Sequence, residues 1–360
     1  MFDCKEIILY GAGSDIAKAF KLLDKAGKKP LCIADSNSTN SGGGYGIPVV
    51  SPDKIREYSS KTIVITASYF DDIYEGLKKT LEDNFSAYEI YVAPYLWFML
   101  INVEYDNSLL ALANDFMKKH KEKLYTMYNL EDMTTKRILD YIVRVRMQQK
   151  YLFEEYSAIA GMQYVDGYFY QGELAELDQL TIVDVGAYIG DTVEEMFERY
   201  GDKICNYYAY EPEKTNYNIL VDKVKNSSYC EKVMAFNYAL GSKESELTFS
   251  KEGSCFGVLD YSEQVSSNHE IVKVVPMDDE DLSVNRTLVI KMDVEGLELE
   301  VLKGALGYIK KYRPYMAICV YHRLEDIYTI PAFILEQIGD YTFVLRSGVH
   351  THLVAIPKKK

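Results

Sequence analysis

Two stretches of this chain share one pattern: an apolar run, a glycine turn, and at once a helical repeat. They are IILYGAGSDIAKAF, from Ile7, and TIVDVGAYIGDTVEEMF, from Thr181. Strand, tight turn and helix in that order open a parallel sheet with helices packed against it. A chain of 360 residues has the length for two such sheets, each with its own core. The expected fold class is therefore α/β, with two Rossmann-like halves.

The surrounding periodicity extends both units. KEIILYG, KPLCIAD, TIVITAS and AYEIYVAP predict four strands, alternating with helices over SDIAKAFKLLDKAG and YFDDIYEGLKKTLED. Ile16, Ala19, Phe20 and Leu23 fall on one helical face, with Gly27 as the stop. The loop SNSTNSGGGYGIPVVSP ends in a short apolar pair. From residue 101 to 163 strand signals vanish and helical spacing predicts a connector, whose Arg137, Arg144, Arg146 and Lys150 suit a solvated face or an anionic substrate. Beyond Thr181 the alternation returns. TIVDVG, NYYAYEP, KVMAFNYALG, TLVIKMDVEG and YMAICVYH read as strands, LELEVLKGALGYIKKYRP as one helix, and YTFVLRS with THLVAIP as a closing hairpin. The expected domains are 1–100, a helical connector 101–163, and 164–360.

Composition narrows the class. No apolar run reaches the roughly 20 residues of a membrane span. The start, MFDCKEIILYGAG, lacks a basic leader, so a cytoplasmic location is expected. Six cysteines show no metal-type spacing. A formal net charge of −14 argues against a nucleic-acid partner, whose phosphates must be neutralised by excess Lys and Arg.

The second turn carries most of the chemistry. Gly186 permits a sharp bend after the strand, and Gly190 permits close backbone approach to a ligand. Glu211 of YAYEP ends the next strand, where a carboxylate accepts both hydroxyls of an adenosine ribose. The spacing GAYIG is not the GxGxxG of a pyrophosphate site, and Asp191, Glu194 and Glu195 crowd the first helical turns. Those acids repel a diphosphate but accept a cofactor bearing an amine and a sulfonium, such as S-adenosylmethionine. They also simply complement a helix dipole.

DVGAYIGDT, YEP, NYALG, VPMDDEDL and above all IKMDVEGLELEVLKGA resemble the FkbM-type methyltransferases, over roughly Tyr164 to Lys360. The resemblance implies S-adenosylmethionine as cofactor, a class I methyltransferase sheet of seven strands with the last antiparallel, and O-methylation of a sugar or polyketide hydroxyl. It departs at Tyr188, where many members have Asn, and in VYHR, where Glu-x-His is commoner. Carried over by position, it places Asp184, Gly186 and Gly190 along the methionine part, Glu211 on the ribose, and Asn237 and Ala239 along the adenine. Asp293 and Glu295 are placed facing the transferred methyl and the acceptor.

A hydroxyl needs its proton removed as the methyl arrives, and the base candidates are Asp293, Glu295 and His322. An imidazole with an ordinary pKa of about 6.5 suits the task, or else orients the substrate. His350 and His352 share a strand face, but a polar hairpin edge explains them and no metal is expected.

The first turn has only GxG, with Ile16 in place of a third glycine. Gly11, Gly13 and Asp35 are its candidate nucleotide residues. The first hundred residues resemble the nucleotide-sugar-binding domain of bacterial sugar acyltransferases, which implies a nucleotide sugar presented to the second half; docking alone is the plainer role. The leading expectation is O-methylation of a sugar in polysaccharide biosynthesis. The alternatives are a nicotinamide-dependent enzyme using the first turn and a non-catalytic sugar-binding protein.

Overall fold

The structure is a computed structural model and describes residues 6–12, 16–25, 28–36, 46–66, 70–92, 107–147, 168–169, 171–250, 258–260, 269–346 and 351–358. The chain forms two compact units, residues 1–121 with 140–161 and residues 122–139 with 162–360. The two helices of the expected connector, Asn107–Met127 and Met133–Arg146, are each divided between these units.

The first unit contains β1 (Ile7–Tyr10), α1 (Ile16–Lys25), β2 (Pro30–Ala34), β3 (Val49–Val50), β4 (Thr62–Ile65), α2 (Phe70–Leu81) and β5 (Glu89–Val92). The strands lie in the order β3-β2-β1-β4-β5, all parallel. The apolar pair that ends the Gly/Ser loop supplies β3. Ile16, Ala19 and Leu23 of α1 are buried against Ile7, Leu9, Ile33 and Val64, with Phe20 at the margin, so the helical face read from spacing is the face that packs.

In the second unit the helices are α3 (Asn107–Met127) and α4 (Met133–Arg146), each in part, then α5 (Asp191–Tyr200), α6 (Lys214–Lys225), α7 (Glu298–Gly304), α8 (Leu306–Tyr312) and α9 (Asp326–Gln337). Its main strands are β6 (Leu180–Val185), β7 (Ile204–Tyr210), β8 (Val233–Phe236), β13 (Thr287–Met292), β14 (Tyr315–Cys319), β15 (Tyr341–Arg346) and β16 (His352–Pro357). They run in the order β15-β16-β14-β13-β6-β7-β8. β16 is antiparallel to both neighbours, β14 and β15, which is the closing hairpin expected of a class I methyltransferase sheet. The central strands are continuous apolar runs because both faces are covered. Ile182, Ala209 and Val289 pack there with Val193 and Met196 of α5 and Leu220 of α6.

Two boundaries differ from the sequence reading. KVMAFNYALG is not one strand: β8 stays in the main sheet, while β9 (Ala239–Leu240) joins a four-stranded sheet with β10 (Ser245–Ser250), β11 (Val258–Asp260) and β12 (His269–Val275). Nor is the helix after Leu297 continuous. It breaks at Ala305 (φ −113°, ψ 6°) between α7 and α8. The Asp278 carboxylate then caps the new helix, accepting from the N–H groups of Gly307 at 2.7 Å and Tyr308 at 3.0 Å. A cap supplied from 29 residues away leaves no local signal.

The α4 entry is bolted to the sheet edge. Arg346, at the end of β15, places Nη1 2.9 Å from Asp132 Oδ1 and Nε 2.7 Å from Glu173 Oε1. Thr135 Oγ1 accepts from Leu345 N–H, and Tyr128 O–H donates to the Ile327 carbonyl. Among the described residues no helix is long and apolar enough to cross a membrane.

Candidate active site

The second glycine turn is tied to the strand beside it. Gly186 and Ala187 N–H both donate to the Tyr210 carbonyl at 3.0 Å. Gly186 has φ +83°, and a Cβ on it would lie 2.0 Å from the Asp293 carbonyl oxygen. Glycine is thus demanded twice, by the left-handed backbone and by the approach of the β13 end. Gly190, φ +81°, is pressed by Leu220 Cδ1, 2.8 Å from where a Cβ would stand. The sequence reading assigned that opening to a ligand; it is filled by helix α6.

Glu211 closes over this turn. Its Oε2 accepts from Tyr188 N–H at 2.9 Å and its Oε1 from Glu213 N–H at 2.8 Å. Burial lifts its pKa to about 7, against the lowering effect of those two N–H groups. Asn237 Nδ2 donates to the carbonyls of Glu211 and Pro212, both at 3.0 Å, so this amide supports the Glu211 segment. Ala239 packs with Leu247, Val272, Val274 and Leu297 in the core beside the small sheet. Its methyl is a core group.

Asp184 also differs from expectation. It is fully buried beneath the turn, in register with Lys291 on the adjacent strand, and Lys291 Nζ lies 2.9 Å from its Oδ1. Tyr207 O–H donates to Oδ2 at 2.8 Å. The same ammonium donates to the Gly186 carbonyl at 2.5 Å. Burial opposes the lysine charge, but Asp184 and then Asp293 outweigh it and hold the pKa above its ordinary value. Asp184 thereby fixes the turn from below and does not line it.

The ends of β13 and β14 bring the three base candidates together. His322, from the β14 end, places Nε2 3.4 Å from Asp293 Oδ1 and 3.7 Å from Glu295 Oε2. Its Nδ1 lies 2.7 Å from Oε1 of Glu298, a residue that sequence reasoning missed. Glu298 begins α7 and also accepts from Val294 N–H at 3.1 Å, so it is part of the turn it follows. Asp293 is held by two phenols, Tyr168 O–H at 2.7 Å and Tyr321 O–H at 3.1 Å. Tyr168, whose ring also covers Lys291 at 5.1 Å, lies outside every motif.

Electrostatics separates the candidates. Burial by itself lowers an imidazole, but Glu298 foremost, then Asp293 and Glu295, lift His322 to about 9. In the metal-free protein the ring therefore carries its proton at neutral pH, unlike an imidazole of ordinary pKa. Glu295 is lifted to about 7, mainly by burial, with His322 opposing and Asp293 and Glu298 adding. It also sits at φ +53°, a left-handed conformation that costs a non-glycine residue about 1–2 kcal/mol.

A cavity of about 420 Å³ in this unit is lined by Leu240, Ser242, Lys243, Leu297, Glu300 and Arg323 among others, but by none of Asp293, Glu295, His322 and Glu211. His352 is not part of the cluster: its Nε2 meets the Tyr168 carbonyl at 2.7 Å, and His350 lies outside the described residues. In the first unit Gly11 has φ +105°, and Asp35 Oδ2 accepts from Ala12 N–H at 2.6 Å. Gly13 lies outside the described residues.

Residues 184–345 match the model of the Methyltransferase FkbM domain. The fold is similar to the crystal structure of the methyltransferase FkbM from Methylobacillus flagellatus KT, with a TM-score of 0.68 and 17% identity over 98% of this chain and 90% of that one. A weaker likeness, TM-score 0.32 and 14% identity, links 51% of this chain to 82% of the precorrin-6y C5,15-methyltransferase of Geobacter metallireducens GS-15. No curated protein matches the sequence.

Proposed function

We propose, from the premise that residues 184–345 form an FkbM domain and that the chain is an S-adenosylmethionine-dependent methyltransferase, that it methylates a hydroxyl of a sugar or glycan precursor. The observation that carries the cofactor reading is the contact of Glu211 with Tyr188 N–H, which joins an acidic strand end to the glycine turn. The residues fit the group. Glu211 is a buried carboxylate with lone pairs left for a ribose diol, and the acidic start of α5 suits a cofactor without phosphate. When bound, S-adenosylmethionine supplies an electrophilic methyl on a sulfonium.

The chain's own residues then have distinct tasks. Lys291 and Asp184 hold the turn from below. Tyr168 and Tyr321 hold the Asp293 carboxylate. Glu295, half-protonated near neutrality, is the group matched to take the acceptor proton, while the His322 imidazolium keeps its neighbours in place.

The test is calorimetry and turnover in parallel. Glu211→Ala should lose S-adenosylmethionine binding, whereas Glu295→Gln should bind it normally and lose transfer to a glycan acceptor. Normal binding and turnover in both variants would refute the assignment.

For the first unit the nucleotide-sugar reading gains one support: Asp35 and Ala12 N–H repeat the Glu211 and Tyr188 contact at the other glycine turn. Titration of the full chain with a nucleotide sugar and with NAD, against Asp35→Ala, separates the readings. Heat with the sugar nucleotide that disappears in the variant supports it; heat with NAD alone supports the nicotinamide rival.

A further inference from the structure

We infer that Nε2 of His322, with the carboxylates of Asp293 and Glu295, forms a binding site for one divalent transition-metal cation of the Mn²⁺ or Zn²⁺ kind. The ring is the observation that points there. The His322 side chain is 2% exposed, and its Nε2 has no hydrogen-bond partner. An unsatisfied buried nitrogen is costly, about 1–3 kcal/mol, and native structures rarely retain one without a use. It is aimed between Asp293 Oδ1, 3.4 Å away, and Glu295 Oε2, 3.7 Å away, and hydrogen-bonds to neither. Ligand atoms about 2.1 Å from a cation, at octahedral or tetrahedral angles, are themselves about 3.0–3.4 Å apart. The two separations measured from Nε2 lie within a few tenths of an ångström of that range.

The shell behind the three groups is already built. Glu298 Oε1 sits 2.7 Å from Nδ1, the carboxylate–histidine arrangement that fixes the ring of a metal-ligating histidine and directs Nε2 outward. Asp293, Glu298 and His322 each bring a ligand-type atom within 4.8 Å of the others, and Glu298 orients the ring through its contact with Nδ1. Tyr168 and Tyr321 hold Asp293, and the N–H of Val294 holds Glu298. Uptake of the cation displaces the Nε2 proton that the ring holds in the metal-free protein, and one neutral imidazole with two carboxylates favours Mn²⁺ or Zn²⁺ over Ca²⁺ and Mg²⁺, which take oxygen ligands. The sequence shows no ligand spacing because the donors come from the ends of two strands.

The site's consequence rests on the methyltransferase reading, but its existence does not. A cation there would bind the acceptor hydroxyl and lower its pKa. The test uses the full chain, stripped with EDTA and titrated by calorimetry with Mn²⁺, Zn²⁺ and Mg²⁺, with elemental analysis after gel filtration. One ion of Mn²⁺ or Zn²⁺ per chain is expected. Binding should be at least tenfold weaker in His322→Gln and in Glu295→Gln, with folding checked by circular dichroism. Independently of the variants, Mn²⁺ should broaden the His322 imidazole resonance selectively among the protein's 5 histidines. Absent stoichiometric uptake, unchanged affinity in both variants, or an unbroadened His322 would each overturn the site and leave a closed lattice of ion pairs around an imidazolium. S-adenosylmethionine is titrated into the same metal-free protein. Metal uptake without cofactor binding would sink the proposed function and spare the site; cofactor binding without metal uptake would do the reverse.

Discussion

Glu298 Oε1 stands 2.7 Å from Nδ1 of His322, and both side chains are almost completely buried. The contact joins the first residue of a helix to the residue beyond a strand, and it sets the charge of the ring. Replacing Glu298 with Gln keeps a hydrogen-bonding group of the same size but removes the largest influence raising the imidazole. The His322 pKa, followed by NMR in metal-free protein, is expected to fall from about 9 by at least about one unit. Cofactor affinity should hold while kcat falls about 10- to 100-fold, the usual cost of losing such an orienting partner. An unmoved pKa would contradict the electrostatic account of the cluster.

Glu211 gives the pH dependence of cofactor binding. Its pKa of about 7 comes first from burial. The carboxylate accepts two ribose hydroxyls, and the protonated form loses that capacity. Affinity for S-adenosylmethionine should therefore fall as pH drops through 7, to about tenfold weaker at pH 6 than at pH 8. Glu211→Gln should flatten the profile at the weaker level. Stability moves with the opposite sign. Because the folded pKa exceeds the unfolded one, the unliganded protein bears no cost from this burial below the ordinary carboxylate range, and the full cost above pH 7.

Two glycines separate backbone demand from empty space. At Gly186 a methyl would meet the Asp293 carbonyl at 2.0 Å in a left-handed conformation. Strain and overpacking together predict a loss of about 3 kcal/mol or more for Gly186→Ala. At Gly172, in a short helical turn from Gln171 to Leu174, nothing lies within 4 Å. Gly172→Ala is expected to be neutral or to stabilise by up to about 1 kcal/mol. Urea melts of both variants check the contrast, which reverses only if the turn moves.

The strand, glycine turn and acidic strand end were legible because each is local: a run of apolar residues, a residue without Cβ, and Glu211 of YAYEP at the end of the second strand. The base cluster was legible in part, since Asp293, Glu295 and His322 each follow a recognisable strand. What escaped depends on register between distant strands. Asp184 and Lys291 look like two ordinary charges until β6 and β13 align them, after which each explains the other. Glu298 resembled a helix-start acid, a role it does occupy, and only the β14 end adds the second one. KVMAFNYALG read as one strand because β8 and β9 are nearly contiguous in sequence yet belong to different sheets. Tyr168 carries no periodic or motif signal at all.

Arg346 ties α4 to the β15 end through Asp132 and Glu173, and its side chain is 7% exposed against 8% for Glu173. Truncating the guanidinium would leave two carboxylates facing each other in a partly closed site. Breaking a buried pair from one side typically costs about 3–5 kcal/mol, because the surviving charge keeps its desolvation without its partner. Arg346→Met should accordingly lower the melting temperature by roughly 6–20 °C, given about 2–4 °C per kcal/mol in a unit of this size. Lys118 offers the contrast: it meets Asp115 at 3.5 Å with both side chains more than half exposed, so Lys118→Ala should change stability by less than about 0.5 kcal/mol. Lowering the charge left behind by the further change Asp132→Asn should recover part of the Arg346→Met loss. A double variant no more stable than the single one would mean that the guanidinium acts through packing alone.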